Sequence, residues 1–370
     1  MRVLWLAKGL GPGGAERLLV ALAERLRGAR FDLSAAYLLA EKDHLVPELR
    51  SAGVGTVCLG GSGSGAGWAG RFRRLVAEGR PDVVHVHAPQ PAAVARPVVR
   101  SFGRLRPALV YTEHNTWGGY RLATRLANAA TYPLDDYRLV VSEEALSSIP
   151  RLLRARSEVL VHGIDLDGAR SRSVRRDDVR AELGVGDGEV LVVTVANLRE
   201  HKDYPTLLAA ARLVARSGLP VRFAAAGQGP LEGTVRSEVS RLGLGGSFSL
   251  LGYRADALDV LAAADVFCLS SRAEGYPVAL MEALALGRPV VATAVGGVAH
   301  AVRSGVEGVL VPPSSPEALA AALIEVADDP ARREAMGRAA AERAVLFDVA
   351  RAAERHAELY EELAARRGRR

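Results

Sequence analysis

The chain has 370 residues, 49% apolar and 24% charged, with 48 basic against 42 acidic side chains and a net charge of +6. At roughly 100–200 residues per domain this is the balance of a globular protein with two sizeable cores, and it excludes a disordered or collagen-like chain. No run of about 18 residues stays apolar without a charge, Pro or Gly, which excludes a membrane-spanning helix.

Arg2–Ala7 is apolar over too short a run for a signal peptide and predicts a first strand. Further strands are predicted at Leu33–Leu38, Gly55–Leu59, Val83–Val86, Ala108–Thr112, Arg138–Val141 and Glu158–Val161. Helical patterns lie between them, Ala15–Arg27 and Tyr120–Ala130 among them. Residues 166–188 are polar and charge-rich and read as a linker with room for a short helix. A second series puts strands near Val190–Val195, Val221–Ala226, Phe248–Leu251, Val266–Leu269, Pro289–Thr293 and Val309–Val311. From Ala350 to Leu363 apolar residues recur at helical spacing, ahead of an arginine-rich end. This alternation predicts an α/β chain with mostly parallel sheets, built as two doubly wound domains with a cleft between them. Cys58 and Cys268 both lie in strand-like runs, which predicts buried, reduced thiols and a cytoplasmic protein.

Charge is unevenly spread. Residues 1–165 carry 22 basic and 15 acidic side chains, the remainder 26 and 27. Between Arg71 and Arg106 eight arginines (71, 73, 74, 80, 96, 100, 104 and 106) meet only Glu78 and Asp82. Such a stretch suits a phosphorylated acceptor or an anionic membrane surface. The plainer explanation is composition, since the chain has 45 arginines and three lysines. No aromatic interleaving accompanies the arginines, which argues against nucleic acid.

Gly9-Leu10-Gly11-Pro12-Gly13-Gly14 follows the first strand, precedes a helix and matches G-x-G-x-x-G. Glycines let a phosphate approach the backbone, and a helix N-terminus offers free N–H groups. A nicotinamide dinucleotide would also need an acid ending the second strand, and Glu41, 27 residues after Gly14, lies past it. A phosphate-approaching loop is favoured over an NAD site, with a ligand-free turn as the bland alternative.

Pro277 marks a helix start, and from Val278 to Leu286 only Glu282 is polar. Such a helix should be buried, and its carboxylate then needs a partner, either an arginine or the hydroxyl pair of a ligand. Glu274 lies just ahead of it, on the carboxyl side of the strand Val266–Leu269, where open α/β sheets bind ligands. Lys202, in Asn197-Leu198-Arg199-Glu200-His201-Lys202, is one of three lysines, so composition does not account for it. Its ammonium suits a phosphate oxygen, and an exposed loop lysine is the alternative. His85, His87 and His114 are placed at the carboxyl ends of two strands, on one crevice. They lack the spacing of a metal site, and Asp165-Leu166-Asp167 reads as turn chemistry, so no metal is predicted.

In this order the residues resemble the retaining GT-B glycosyltransferases of family four. The likeness runs through Gly13-Gly14-Ala15-Glu16, Thr112-x-His114, Gly163-Ile164-Asp165 and Leu198…Lys202 leading into Tyr204-Pro205-Thr206-Leu207-Leu208. It continues through Gly227-Gln228-Gly229-Pro230-Leu231, Gly252-Tyr253, Glu274…Glu282 and Pro289-Val290-Val291-Ala292-Thr293…Gly296-Gly297, nearly the whole chain. It implies two Rossmann-like domains facing across a cleft, 1–165 on the acceptor side and 189–347 holding the nucleotide sugar, joined by 166–188. A final helix, 348–370, would cross back to the first domain. By position, Glu282 would hold the donor's ribose, and Glu274 with the backbone of Gly275, Tyr276, Pro277 and Val278 its sugar. Lys202 would contact the diphosphate, with Gly13 and Gly14 reaching it from the other domain, and His114 would lie under the sugar. Gly227 would line the nucleotide and Arg254 would lie near the base. His114, Lys202 and Glu274 would be the residues of the transfer itself.

Three departures stand out. The family's usual G-R-L is Ala196-Asn197-Leu198 here, which makes Arg199, beside Asn197, the candidate second cation. The usual N-G-[IV]-D is His162-Gly163-Ile164-Asp165, and the usual acid after Gly-Gly-x-x is His300. The resemblance implies a bacterial-type cytoplasmic enzyme that moves a hexosyl group with retention and without a metal. Its donor would be a nucleotide-diphosphate sugar, UDP ahead of GDP, and its acceptor a hydroxyl of a glycan, lipid-linked or small-molecule compound. The alternatives are an NAD-dependent oxidoreductase using Gly9–Gly14 and a non-catalytic sugar-nucleotide binder.

Overall fold

A computed structural model describes residues 1–11, 13–28, 30–60, 67–171 and 175–368. The first sheet contains β1 (Arg2–Ala7), β2 (Asp32–Tyr37), β3 (Gly55–Cys58), β4 (Val83–Val86), β5 (Ala108–Glu113), β6 (Tyr137–Val140) and β7 (Ser157–Val159), in the order 3-2-1-4-5-6-7. The second contains β8 (Val190–Val195), β9 (Val221–Ala226), β10 (Phe248–Gly252), β11 (Val266–Leu269), β12 (Val290–Thr293) and β13 (Gly308–Val311), in the order 10-9-8-11-12-13. Pairing is parallel, as between Val3 and Val83 and between Val192 and Val266. Helices cover both faces, so β4, β5, β11 and β12 are buried along their whole length and are mostly apolar, with His85, Thr112, Glu113 and Thr293 as buried polar exceptions.

Both sheets share one winding. The chain runs outward from β1 through β2 to β3, then restarts on the other side of β1 with β4; β8 and β11 repeat the arrangement. The loops after β1 and β4, and after β8 and β11, therefore part in opposite directions and leave a crevice at the carboxyl ends of the strands.

The chain divides into two compact units, residues 1–163 with 349–370, and residues 164–348. In the first, the C-terminal helix Val349–Gly368 belongs with the sheet whose strands were made at the other end of the chain. Trp5 Nε1 donates to Tyr360 Oη at 3.2 Å, both rings being fully buried, and Arg355 Nε meets Glu158 at 2.8 Å. The arginine run is largely spent inside this unit. Arg96 is fully buried on Asp135, Arg100 and Arg106 pair with Asp136, Arg71 donates to the Leu59 carbonyl, and Arg73 lies over the Phe102 ring.

Two expectations need correction. The stretch read as a linker holds two short helices rather than one, Leu166–Arg170 and Arg176–Glu182, and it belongs to the second unit. Arg176 and Arg180 both reach Asp265, which also accepts from the Leu191 N–H at 2.8 Å, so the charges that suggested a tether are anchoring groups. Cys268 is buried, but Cys58 ends β3 at the sheet edge and is only half-buried.

Candidate functional site

In the second unit the crevice is framed by the segments after β8 and β11. A one-turn helix, Glu200–Lys202, ends at Asp203, whose left-handed φ of 49° turns the chain into the helix Tyr204–Arg216. A non-glycine residue keeps that conformation where neighbours hold it. Here Asp203 accepts from Thr206 Oγ1 at 2.9 Å and Ser314 Oγ at 3.2 Å. The β11 side staples the same turn: Ser270 Oγ reaches the carbonyls of Lys202 (2.9 Å) and Asp203 (3.2 Å). The Arg272 N–H and guanidinium donate to the carbonyls of His201 and Glu200, each at 2.7 Å.

This frame delivers Lys202 Nζ onto Glu274 Oε1, and Ser271 Oγ donates to the same oxygen at 2.5 Å. The two charged side chains are 15% and 8% exposed, so the pair is largely withdrawn from water. After it comes the helix Val278–Ala285, with Pro277 at its N-cap, one position ahead of the first helical turn expected for it. Burial along the helix is not uniform. Val278, Ala279 and Glu282 are half-buried while Leu280, Met281 and Ala283–Ala285 are buried, so Glu282 lies on the one open stripe. Gly297 N–H donates to the Gly275 carbonyl at 2.8 Å, and a Cβ on Gly297 would stand 2.4 Å from both that oxygen and the Tyr276 ring. Only glycine fits there. Gly227 is packed as closely, its virtual Cβ lying 2.0 Å from the Ala196 carbonyl.

Other expected residues lie at or near the surface of the second unit. Asn197 and Arg199 are exposed. Arg254 is engaged by acids, bidentate to Asp256 at 2.7 and 2.8 Å and also bound to Glu182, and these hydrogen bonds raise its pKa further. His300 is exposed at the end of the short helix after Gly297.

In the first unit, the loop after β1 is pinned to residues 42–45: Leu10 N–H donates to the Lys42 carbonyl at 2.6 Å, and Leu45 N–H to the Leu10 carbonyl at 2.9 Å. Gly13 caps the helix Gly14–Leu26, and Pro12 lies outside the described residues. His114 follows β5 and stacks on His162, with ring centroids 4.9 Å apart and Nδ1 3.0 Å from His162 Nε2. Together with His87 and His356 they line a small cavity completed by Leu18, Leu19 and Leu22 of the first helix. Burial pushes His114 and His356 down to about 4 and keeps His87 and His162 well below the usual imidazole range. His85 does not share the crevice. It sits within β4, fully buried, hydrogen-bonded to Tyr360 Oη at 2.6 Å and Thr112 Oγ1 at 2.7 Å. Among the described residues, no group of three or more His, Cys, Asp or Glu side chains could hold a metal ion.

Sequence reasoning missed Ser270, Ser271, Arg272 and Asp203, which hold the Lys202–Glu274 pair, and His162 as the partner of His114. The His162-Gly163 departure from the expected motif was the one available signal.

Two family profiles match the chain in succession, the Glycosyltransferase Family 4 profile over residues 12–167 and the Glycosyl transferases group 1 profile over residues 175–343. The chain belongs to the family 4 glycosyltransferases. Among its relatives is EpsD of Bacillus subtilis, named as a glycosyltransferase, 26% identical over 75% of this chain and 76% of that protein. A D-inositol 3-phosphate glycosyltransferase of Rhodococcus erythropolis is 34% identical over 55% of this chain, a match spanning 45% of that protein. Among solved structures, Anabaena HepE in complex with UDP and glucose superposes with a TM-score of 0.85 at 20% identity, covering 98% of this chain and 99% of that one. Sucrose-phosphate synthase from Thermosynechococcus elongatus gives 0.84 at 22% identity, over 99% and 100%. The fold is thus that of the GT-B glycosyltransferases, two Rossmann-like α/β units in one chain. As a family 4 glycosyltransferase the protein transfers sugar from a nucleotide sugar.

Proposed function

We propose that this glycosyltransferase moves a hexosyl group from a UDP-sugar, with GDP the second choice, onto an acceptor hydroxyl, with retention at the anomeric carbon and without a metal. The observation that carries the reading is the Lys202–Glu274 pair at the switch point of the second sheet, directly ahead of the helix Val278–Ala285. An ammonium and a helix N-terminus at one place suit a diphosphate leaving group, whose developing charge is the main thing such a site must stabilise. Without a donor, Glu274 holds Lys202 in position. A diphosphate would compete for the ammonium and free the carboxylate to accept from sugar hydroxyls. Glu282, one turn into the helix on its open stripe, is suited to the ribose diol.

Retention follows if the acceptor attacks from the face the diphosphate leaves and a phosphate oxygen takes its proton. Glu274, already bound by Lys202 and Ser271, is a poor nucleophile for a covalent route. The UDP choice draws on HepE, whose structure was solved with UDP and glucose. The acceptor class, a glycan, lipid-linked or small hydroxylated compound, draws on relatives such as the D-inositol 3-phosphate enzymes. Contact with a phosphorylated acceptor or an anionic membrane from the cytoplasmic side would rest on Arg74, Arg80 and Arg104, exposed members of the run.

Thermal unfolding with a panel of UDP-, GDP-, dTDP- and ADP-sugars tests the donor. A ligand at 100 times its Kd adds about 2.7 kcal/mol to stability. A UDP-sugar should stabilise the wild type and lose that effect in Glu282→Ala; stabilisation by NAD alone would overturn the reading. Turnover that survives EDTA, and a product with the donor's anomeric configuration, are the checks on the metal-free and retaining parts.

A further inference from the structure

The reading above leaves one buried charge unused. Glu113 ends β5 at 0% exposure, and among the described residues its carboxylate forms no ion pair. It is instead the shared acceptor of four donors. Tyr111 Oη (3.0 Å) and Trp117 Nε1 (2.9 Å) donate to Oε2, and Tyr120 Oη and the Asn115 N–H (3.4 Å) to Oε1. Three of these four donors belong to residues 115–120, the segment that leaves His114. Trp117 is 4% exposed, and its N–H is held by Ser148 Oγ at 3.0 Å, so the segment is folded inward around the carboxylate.

We infer that Glu113 is a positioning residue for the transfer: its carboxylate gathers Asn115, Trp117 and Tyr120 and thereby sets where the His114 imidazole stands. The inference rests on the proposed place of His114 beside the donor sugar. A carboxylate suits the task because it offers about four acceptor sites and no donor. Glutamine has the same shape but brings two N–H donors into a nest that already consists of donors.

Burial without a cation pushes Glu113 up to about 7, and the hydrogen bonds from Tyr120, Tyr111, Asn115 and Trp117 pull against that rise. The titratable groups around it are Tyr111 on its own strand, Tyr120 and His114 on its loop, and Tyr132 from the turn before β6. Arg96, from the helix Pro89–Arg100, lies over the Tyr111 and Tyr132 rings while paired with Asp135, and Arg138 lies over Tyr132. Protonation would turn one acceptor site into a donor and release one of the four bonds.

The test compares wild type with Glu113→Gln in two assays: release of UDP from UDP-glucose, with water as acceptor, and histidine side-chain NMR. In Glu113→Gln the His114 ring signals should move and kcat should fall by about 10²-fold, the cost of a misplaced group, with KM for UDP-glucose unchanged. Wild-type kcat should also fall as pH drops through about 7, a limb the variant lacks. A variant that loses thermal stability but keeps wild-type kcat, pH limb and His114 signals overturns the inference and leaves Glu113 a purely structural residue. If the wild type neither binds nor hydrolyses a sugar nucleotide, the functional reading fails and the role in transfer falls with it; unmoved His114 signals in Glu113→Gln would then overturn the positioning of His114 as well, and shifted ones would uphold that positioning alone. Should Glu113→Gln fail to fold, Tyr120→Phe, which removes a single donor, carries the same two measurements.

Discussion

At the switch point of the first sheet the side chains are imidazoles. His87 and His114, with His162 stacked beside them, are kept neutral by burial. The corresponding place in the second sheet holds Lys202 and Glu274, also largely buried, each in reach of an opposite charge. Both crevices come from the same winding, so topology supplies the place and the loop residues choose its charge. Burial alone strips charge from a group, whereas burial beside a counter-ion allows it to persist. A diphosphate suits the second crevice, and an uncharged group suits the first.

The sharpest way to break this contrast is Lys202→Ala. It should lower kcat/KM by about 10²- to 10³-fold, the scale for losing one group aimed at developing charge. Steady-state kinetics with the sugar nucleotide that stabilises the protein will show it, and unaltered turnover would remove Lys202 from the site.

Acid sharpens the other side. Unfolded histidines take up protons near pH 6.5, but His114 and His356 resist protonation in the folded chain until about 4. Their contribution is therefore intact above about pH 6.5 and is lost as pH falls towards 4. Glu113, raised to about 7, works in the opposite sense, since its contribution is lost as pH rises through that value; it is one group against several histidines. In the second unit His300 is exposed, and His201 alone is shifted down, by partial desolvation and then by the neighbouring Lys202 ammonium. Segment-resolved hydrogen exchange between neutral and mildly acid pH should show the first unit loosening before the second, and simultaneous loosening would contradict the assignment.

Arg254→Ala should have the smallest effect. Its pairs with Glu182 and Asp256 lie near the surface, where such pairs contribute roughly 0–1 kcal/mol. Urea titration should show a change within that range, while a large loss of UDP affinity would place Arg254 on the donor.

The strands were the legible part of the molecule. The bounds predicted for β1, β4, β8, β9 and β11 are those observed, because a parallel strand covered on both faces carries few polar residues to blur its limits. Lys202, Glu274 and Glu282 could be singled out because each is unusual for its surroundings. The groups that hold them could not: Ser270 and Arg272 act through backbone carbonyls of residues about 70 positions away, and no local pattern marks such a bond. Glu113 is not legible in the sequence, because an acid at a strand end looks like an exposed turn residue until its donors fold over it. The charge-rich stretch 166–188 reads as a linker for a related reason, since Arg176 and Arg180 find Asp265 only in three dimensions.

The first unit is made from both ends of the chain, and this bears on the order in which the protein can be built. β7 ends at Val159, but the helix carrying Tyr360 to Trp5 begins at Val349. At a synthesis rate of roughly 10 residues per second, the earlier strands wait about 20 s for that helix to be made. Residues 164–348 are complete by then. The part translated first is therefore the part finished last, and a nascent chain must shelter the unfilled face under β1 until its final helix emerges.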